Sequence, residues 1–438
     1  MSAAGEGGFL ARARALDAAD PLRAFRERFA LPRDERGAPL VYLCGHSLGL
    51  EPLSARALVN EELDSWAQRA VEGHEHGGRP WVPYHQNLAA GLAALAGASA
   101  SEVVAMNSLT VNLHLMLASF YRPQGKRRRI LIEAGAFSSD RHAVASQLVW
   151  HGLDPAETLI ELAPVAGADL IEPGALEDAI AAHGAELALV LWPGVQFRSG
   201  QSFDLARIVR AAHAAGALAG FDLAHSIGNV PLTLHDSDAD FAVWCSYKYL
   251  NGGPGAIGGC FVHERHSRAQ SRGAHGGALP GARLAGWWGH EEETRFRMES
   301  DFRAAAGADA WQVSNPPILA AAPLVASLMV FAAAGIGRLR AKSVALTDFM
   351  DELLQPLAPQ VAVITPRVAE ERGCQLSLRI AGGVGPGRRV FEGLRAGGVV
   401  CDWRSPDIIR VAPVPLYNRF EDVALFAERL GQLLGERA

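Results

Sequence analysis

The chain has 438 residues, enough for one large and one small domain. Apolar residues make up 49% and charged residues 20%, the balance of a globular protein with a sizeable core. A net charge of −6 leaves no basic footprint for nucleic acid or for an anionic membrane surface.

Taken in chain order, residues 1–6 carry no basic flank ahead of an apolar run, so no signal peptide is expected. The basic cluster at 126–129 reads as a solvated loop leading into a strand. Strand-like apolar runs then lie at 130–133, 158–162, 187–192, 217–222 and 241–245. Stretches with helical spacing separate them at 139–150, 173–183 and 203–214. That alternation predicts an α/β fold with a mostly parallel central sheet covered by helices.

Residues 318–337 carry no charge and reach the length of a membrane span. Abundant alanine, with Pro323 and Ser327 inside the run, points instead to a buried helix. Toward the C-terminus come strand-like runs at 374–380 and 408–412 and a helix from Arg419 onward. The expected division is a large domain over residues 65–320 and a smaller α+β domain built from 1–64 plus 321–438. Five scattered cysteines, odd in number and never spaced as metal ligands, predict reduced thiols in a cytoplasmic protein.

The run 241–245 is followed by Lys248 and then by Gly252, Gly253 and Gly255. Glycines there allow a tight turn and close approach of a ligand, and a lysine at a sheet rim suits a Schiff-base nucleophile. A lysine that merely snorkels to solvent is the bland alternative. Asp222 closes the apolar run 217–222, where an unpaired carboxylate is costly to bury, and so calls for a cation. An acid that keeps a pyridine nitrogen protonated, with a lysine that condenses with an aldehyde, is what pyridoxal phosphate requires.

A phosphate cradle is available at Asn107-Ser-Leu-Thr110, which precedes a probable helix whose first amides can face an anion. An ordinary N-cap looks the same in isolation. Phe137 follows a strand end, placing a ring where it can stack on a planar group, although a core phenylalanine reads alike.

Longer motifs surround these residues: Gly45-His-Ser-Leu-Gly-Leu50, Gly73-His-Glu75, Arg79-Pro-Trp81, Asn107-Ser-Leu-Thr-Val-Asn-Leu-His114 and Phe137-Ser-Ser-Asp140. Further on stand Gly220-Phe-Asp-Leu-Ala-His225, Gly286-Trp-Trp-Gly-His290, Val313-Ser-Asn-Pro-Pro-Ile318 and Arg410-Val-Ala-Pro-Val-Pro-Leu-Tyr-Asn418. With these motifs the chain resembles the kynureninases, within the fold-type I (aspartate aminotransferase-like) pyridoxal phosphate enzymes. The resemblance covers nearly the whole chain. It implies hydrolytic Cβ–Cγ cleavage of kynurenine or 3-hydroxykynurenine, a step of tryptophan catabolism, to alanine and an anthranilate.

Carried over residue by residue, the resemblance makes Lys248 the Schiff-base lysine and the base for the α-proton. Asp222 pairs with the pyridinium nitrogen, and Phe137 stacks on the ring. Leu109 and Thr110 offer the phosphate their backbone and hydroxyl groups, and Ser138 and Ser139 bind the cofactor. Tyr247 touches the phosphate and relays protons, while Asp140 and His225 line the cofactor pocket. Arg410 clamps the substrate α-carboxylate. Trp287 and Asn315 look like contributions from a second subunit, which implies a homodimer with shared sites. His74, Ser314 and Asn315 place polar groups near the aryl ring, favouring 3-hydroxykynurenine. Two positions depart from the family pattern: His46 stands where asparagine is common, and Pro193 where some relatives carry serine. Rival readings are another fold-type I enzyme, such as a cysteine desulfurase, and a silent binding protein on the same fold.

Overall fold

A computed structural model describes residues 3–271 and 283–435. Residues 1 and 2, part of the stretch read for a leader, lie outside the described residues.

Seven strands form the main sheet. Their order is Val103–Ala105, Gly259–Val262, Phe241–Trp244, Leu218–Asp222, Leu187–Pro193, Arg129–Glu133 and Leu159–Leu162. The last five run parallel, whereas Gly259–Val262 is antiparallel to both of its neighbours. Phe241–Trp244 is buried at every residue, and Leu187–Pro193 at all but its last. Such continuous apolar runs suit strands covered on both faces. At Gly220 the fit is tight: a Cβ would lie 2.1 Å from the Phe241 ring on the next strand.

The five expected strands are present, each with one end displaced by one residue. The short strands Val103–Ala105 and Gly259–Val262 were not anticipated, because three or four buried residues show no periodicity. Helices Ser138–Trp150, Ala175–His183 and Leu205–Ala214 are the crossovers between parallel strands. Asp204 starts the last of them, accepting the Arg207 backbone N–H at 3.1 Å.

Ile318–Ala334 is a largely buried helix packed against Ala55–Arg69 and Gln86–Ala96. Among the described residues no single helix is long and apolar enough to cross a membrane. The C-terminal part carries an antiparallel sheet in the order Asp402–Arg404, Ile408–Val411, Leu376–Ile380 and Val361–Val363. Its core draws on Ala13, Val41 and Leu43 from the N-terminal segment, whereas Leu22, Phe29, Leu50 and Leu58 join the core of the main sheet. Val41–Tyr42 pairs in parallel with Val399–Val400, tying the two ends of the chain together.

Candidate active site

Glu133, Pro193 and Asp222 are the last residues of three adjacent parallel strands, and all three line one cleft. Ligands of open α/β sheets bind at that edge. Leu109, Thr110, Phe137, Ser139, Asp140, His225, Tyr247 and Lys248 line the same cleft.

Lys248 lies four residues beyond the Phe241–Trp244 strand, in a turn fixed by backbone hydrogen bonds. The Gly252 N–H donates to Ser246 O at 2.8 Å and the Asn251 N–H to Lys248 O at 2.9 Å. Gly49 donates to Tyr247 O at 2.8 Å, and a Cβ there would sit 2.3 Å from Lys248 O, so glycine alone permits this approach. The whole chain has three lysines. Lys342 is buried against Asp20 at 2.8 Å and Lys126 lies outside the cleft, which leaves Lys248 as its amine. Its Nζ is 3.1 Å from His225 Nε2 and within 6 Å of the Phe137 and Tyr247 rings.

Asp222 is 8% exposed and accepts the Ala224 backbone N–H at 2.6 Å. Asp140, in the first turn of the Ser138–Trp150 helix, faces it. Burial and then the Asp222 carboxylate push the Asp140 carboxyl well above its usual range. Asp140 therefore keeps its proton, and the pair shares one negative charge aimed into the cleft. Burial, then the charge of Lys248, hold His225 well below the normal histidine range, so its ring is neutral. With Nε2 accepting from the lysine, Nδ1 carries the hydrogen.

The anion cradle is built from two helix starts. Asn107, at φ +46°, turns the chain out of Val103–Ala105, and its amide donates to Asn112 Oδ1 at 2.9 Å. Leu109–Phe120 then begins with no side-chain cap, leaving its first amides free, and Ser138–Trp150 also begins uncapped. A 2.8 Å hydrogen bond between Thr110 Oγ1 and Ser139 Oγ joins the two starts. Both helix dipoles thus point positive ends at one place.

Arg410 is buried beside the cleft. Its Nε and Nη2 donate to Asp402 Oδ2, the former at 2.7 Å, and Nη1 donates to Phe197 O at 2.6 Å. One N–H on each terminal nitrogen is left for a carboxylate. Phe197 lines the cleft and meets the Phe137 ring edge-on at 5.5 Å. Its loop is pinned to the C-terminal sheet, since Gln375 donates to Phe197 O at 3.0 Å and Ser377 to Arg198 O at 2.6 Å. Asp402, Phe197 and Glu133 went unnoticed in the sequence. Glu133 carried the signal that exposed Asp222, a carboxylate closing an apolar run.

The structure does not bring every expected residue to this cleft. Ser138 is exposed on the first turn of its helix. His74 is exposed, with its ring against Trp81 at 5.2 Å. Ser314 and Asn315 are exposed and bond to each other at 3.2 Å. Trp287 is 45% exposed and donates to Arg295 O at 3.1 Å. None of these five lines the Lys248 cleft of its own chain.

Two curated relatives decide the family. A kynureninase from Xanthomonas euvesicatoria pv. vesicatoria (strain 85-10) is 57% identical over 424 residues, covering 96% of this chain and 97% of the relative. Another, from Xanthomonas oryzae pv. oryzae (strain PXO99A), is 58% identical over 421 residues, covering 95% and 96%. The chain belongs to the kynureninase family.

Residues 339–430 also match the family model described as the kynureninase C-terminal domain. Solved structures share the fold at low identity. The cysteine desulfurase CsdA of Escherichia coli superposes with a TM-score of 0.73 at 16% identity, covering 95% of this chain and 98% of that one. A Thermococcus onnurineus NA1 cysteine desulfurase gives 0.71 at 18% identity, covering 91% and 95%.

The kynureninase cleft fits pyridoxal phosphate. A half-protonated carboxyl pair, with Asp140 Oδ1 buried and unpartnered, suits a protonated ring nitrogen, and the double helix start suits a phosphate. Family membership and this donor set make pyridoxal phosphate the cofactor. A desulfurase instead needs a reactive cysteine near the cofactor. Here no cysteine lines the cleft, and burial raises all five thiols, Cys44 to about 11 and Cys374 and Cys401 to about 12.

Proposed function

We propose that this chain hydrolyses the Cβ–Cγ bond of L-kynurenine or 3-hydroxy-L-kynurenine, giving L-alanine and anthranilate or 3-hydroxyanthranilate. One observation carries the reading: Lys248 Nζ, the Asp222–Asp140 pair and the Thr110–Ser139 cradle meet in one cleft. Asp222 would hold the ring nitrogen of pyridoxal phosphate, Phe137 its face, and Leu109, Thr110 and Ser139 its phosphate. When bound, the cofactor supplies an electron-accepting ring that stabilises negative charge beside the substrate nitrogen.

Lys248 Nζ takes the α-proton, and His225 Nε2 at 3.1 Å orients the amine for it. Burial first, then Cys245, raise the Tyr247 phenol, which stays protonated and donates from Oη to Cβ as the Cβ–Cγ bond breaks. Water completes the balance: its hydroxyl bonds to Cγ, its proton restores Tyr247 Oη, and Lys248 Nζ returns the α-proton to Cα. Arg410, steadied by Asp402 and Phe197 O, clamps the α-carboxylate. The edge-on rings of Phe137 and Phe197 form one wall of the cleft.

The preferred substrate in this reading is 3-hydroxy-L-kynurenine. His74, Ser314, Asn315 and Trp287 would come from the second subunit of a cytoplasmic homodimer, and buried hydrogen-bonding groups penalise a substrate that leaves them unpaired. Their exposure on the single chain supports that arrangement. The domain division proposed is 65–320 against 1–64 plus 321–438. Alanine release from both kynurenines, with and without added cofactor, tests the reaction. Cofactor-dependent release is expected, and no release from either substrate contradicts it. A higher kcat/KM for unsubstituted kynurenine contradicts the preference.

A further inference from the structure

His46 lies in the loop between Val41–Tyr42 and the Ala55–Arg69 helix, and it is 0% exposed. Two glycines fix its place. A Cβ at Gly45 would lie 2.1 Å from Tyr417 Oη, and one at Gly49 would lie 2.3 Å from Lys248 O. The loop is thereby held between the segment that follows the Ile408–Val411 strand and the lysine turn.

On one side the His46 ring centroid is 6.4 Å from that of His225, which contacts Lys248 Nζ. On the other side Nε2 is 3.9 Å from Asp402 Oδ2, the oxygen that holds Arg410. The imidazole therefore stands between the amine and the guanidinium of the site.

Burial and then the Arg410 charge push His46 down to about 3, so its ring is neutral, with one N–H and one bare nitrogen. Among the described residues neither nitrogen has a hydrogen-bond partner. A contact of 3.9 Å is too long to be one, and Asp402 Oδ2 already takes Arg410 Nε and Nη2 and faces Arg404 Nε at 2.9 Å. Two orphaned nitrogens in the interior call for an explanation, and a bound partner that satisfies them is one. In the proposed function the uncommitted N–H groups of Arg410 take the substrate α-carboxylate.

We propose that His46 is a substrate-binding residue whose ring N–H donates to the α-carboxylate that Arg410 clamps. The inference rests on the roles given to Lys248 and Arg410 above. It adds a neutral third donor to the carboxylate end of the site.

The test compares two small amines on the native holoenzyme, His46→Phe and His46→Asn. L-Alanine carries the carboxylate and ethylamine lacks it, and binding of each is read from the absorbance of the bound cofactor. In His46→Phe the dissociation constant of L-alanine is expected to rise about tenfold, with that of ethylamine held within about twofold. His46→Asn, which keeps an N–H donor, recovers most of the loss. Equal weakening of both amines, or an unchanged alanine affinity, overturns the proposal. If His46→Phe fails to fold, His46→Ala takes its place with the same two outcomes. A native holoenzyme that responds to neither amine contradicts the lysine reading, and the role of His46 falls with it.

Discussion

Lys248 Nζ lies 3.1 Å from Nε2 of His225, a histidine kept neutral by its burial and by the lysine's own charge. A neutral acceptor points the amine without competing for its proton. His225→Leu removes that acceptor from a buried site, and kcat/KM is expected to fall about 10²-fold, as for a misdirected reacting group. His225→Gln, which keeps an acceptor, falls less. Steady-state kinetics on both variants measures the difference.

Asp140 holds its proton beside the Asp222 carboxylate, so their substitutions are unequal. In the proposed reading Asp222→Asn removes the charge that would face the ring nitrogen, and activity drops about 10²- to 10³-fold, the scale of breaking a buried ion pair from one side. Asp140→Asn keeps a donor toward Asp222 and costs about tenfold. Equal losses in the two variants, read by alanine release, contradict the assignment.

Arg410 offers a planar fork that Asp402 and Phe197 O hold in place. Arg410→Lys loses the two-pronged contact, and KM rises about 10- to 100-fold with a smaller change in kcat. Asp402→Asn loosens the same fork and moves KM in the same direction by less. A fall confined to kcat in either variant contradicts the role.

Glu133 is a buried carboxylic acid whose desolvation raises it to about 8. Its folded value lies above the unfolded one, so the unfolded chain releases this proton near pH 4.5 and the folded chain holds it until about 8. The Glu133 contribution to stability therefore declines as pH rises between those values. Glu133→Gln removes the penalty, and Tm is expected to rise by several degrees at pH 8 and to change little at pH 5. Thermal unfolding at the two pH values measures this, and an equal shift at both contradicts the titration.

Strand ends were readable because each is a local event: an apolar run stops and a polar residue follows. Asp222 and Lys248 were found in this way, Thr110 from the helix start beside it and Phe137 from its place after a strand, and all four converge in one cleft. Asp402 and Phe197 were not readable, since they act on Arg410 from 8 and 213 residues away and only folding brings them together. Val103–Ala105 and Gly259–Val262 were too short for periodicity to reveal them. His46 was visible as a departure from the family motif, while its two unpartnered nitrogens belong to the folded interior.

The central claim is that Lys248 carries the cofactor. Borohydride reduction of the holoenzyme, followed by peptide mass mapping, tests it most directly, because the chain offers three lysines to distinguish. The reduced cofactor is expected on the peptide containing Lys248, and Lys248→Ala is expected to lose both that label and alanine release. A label on Lys126 or Lys342, or a fully active Lys248→Ala, contradicts the account.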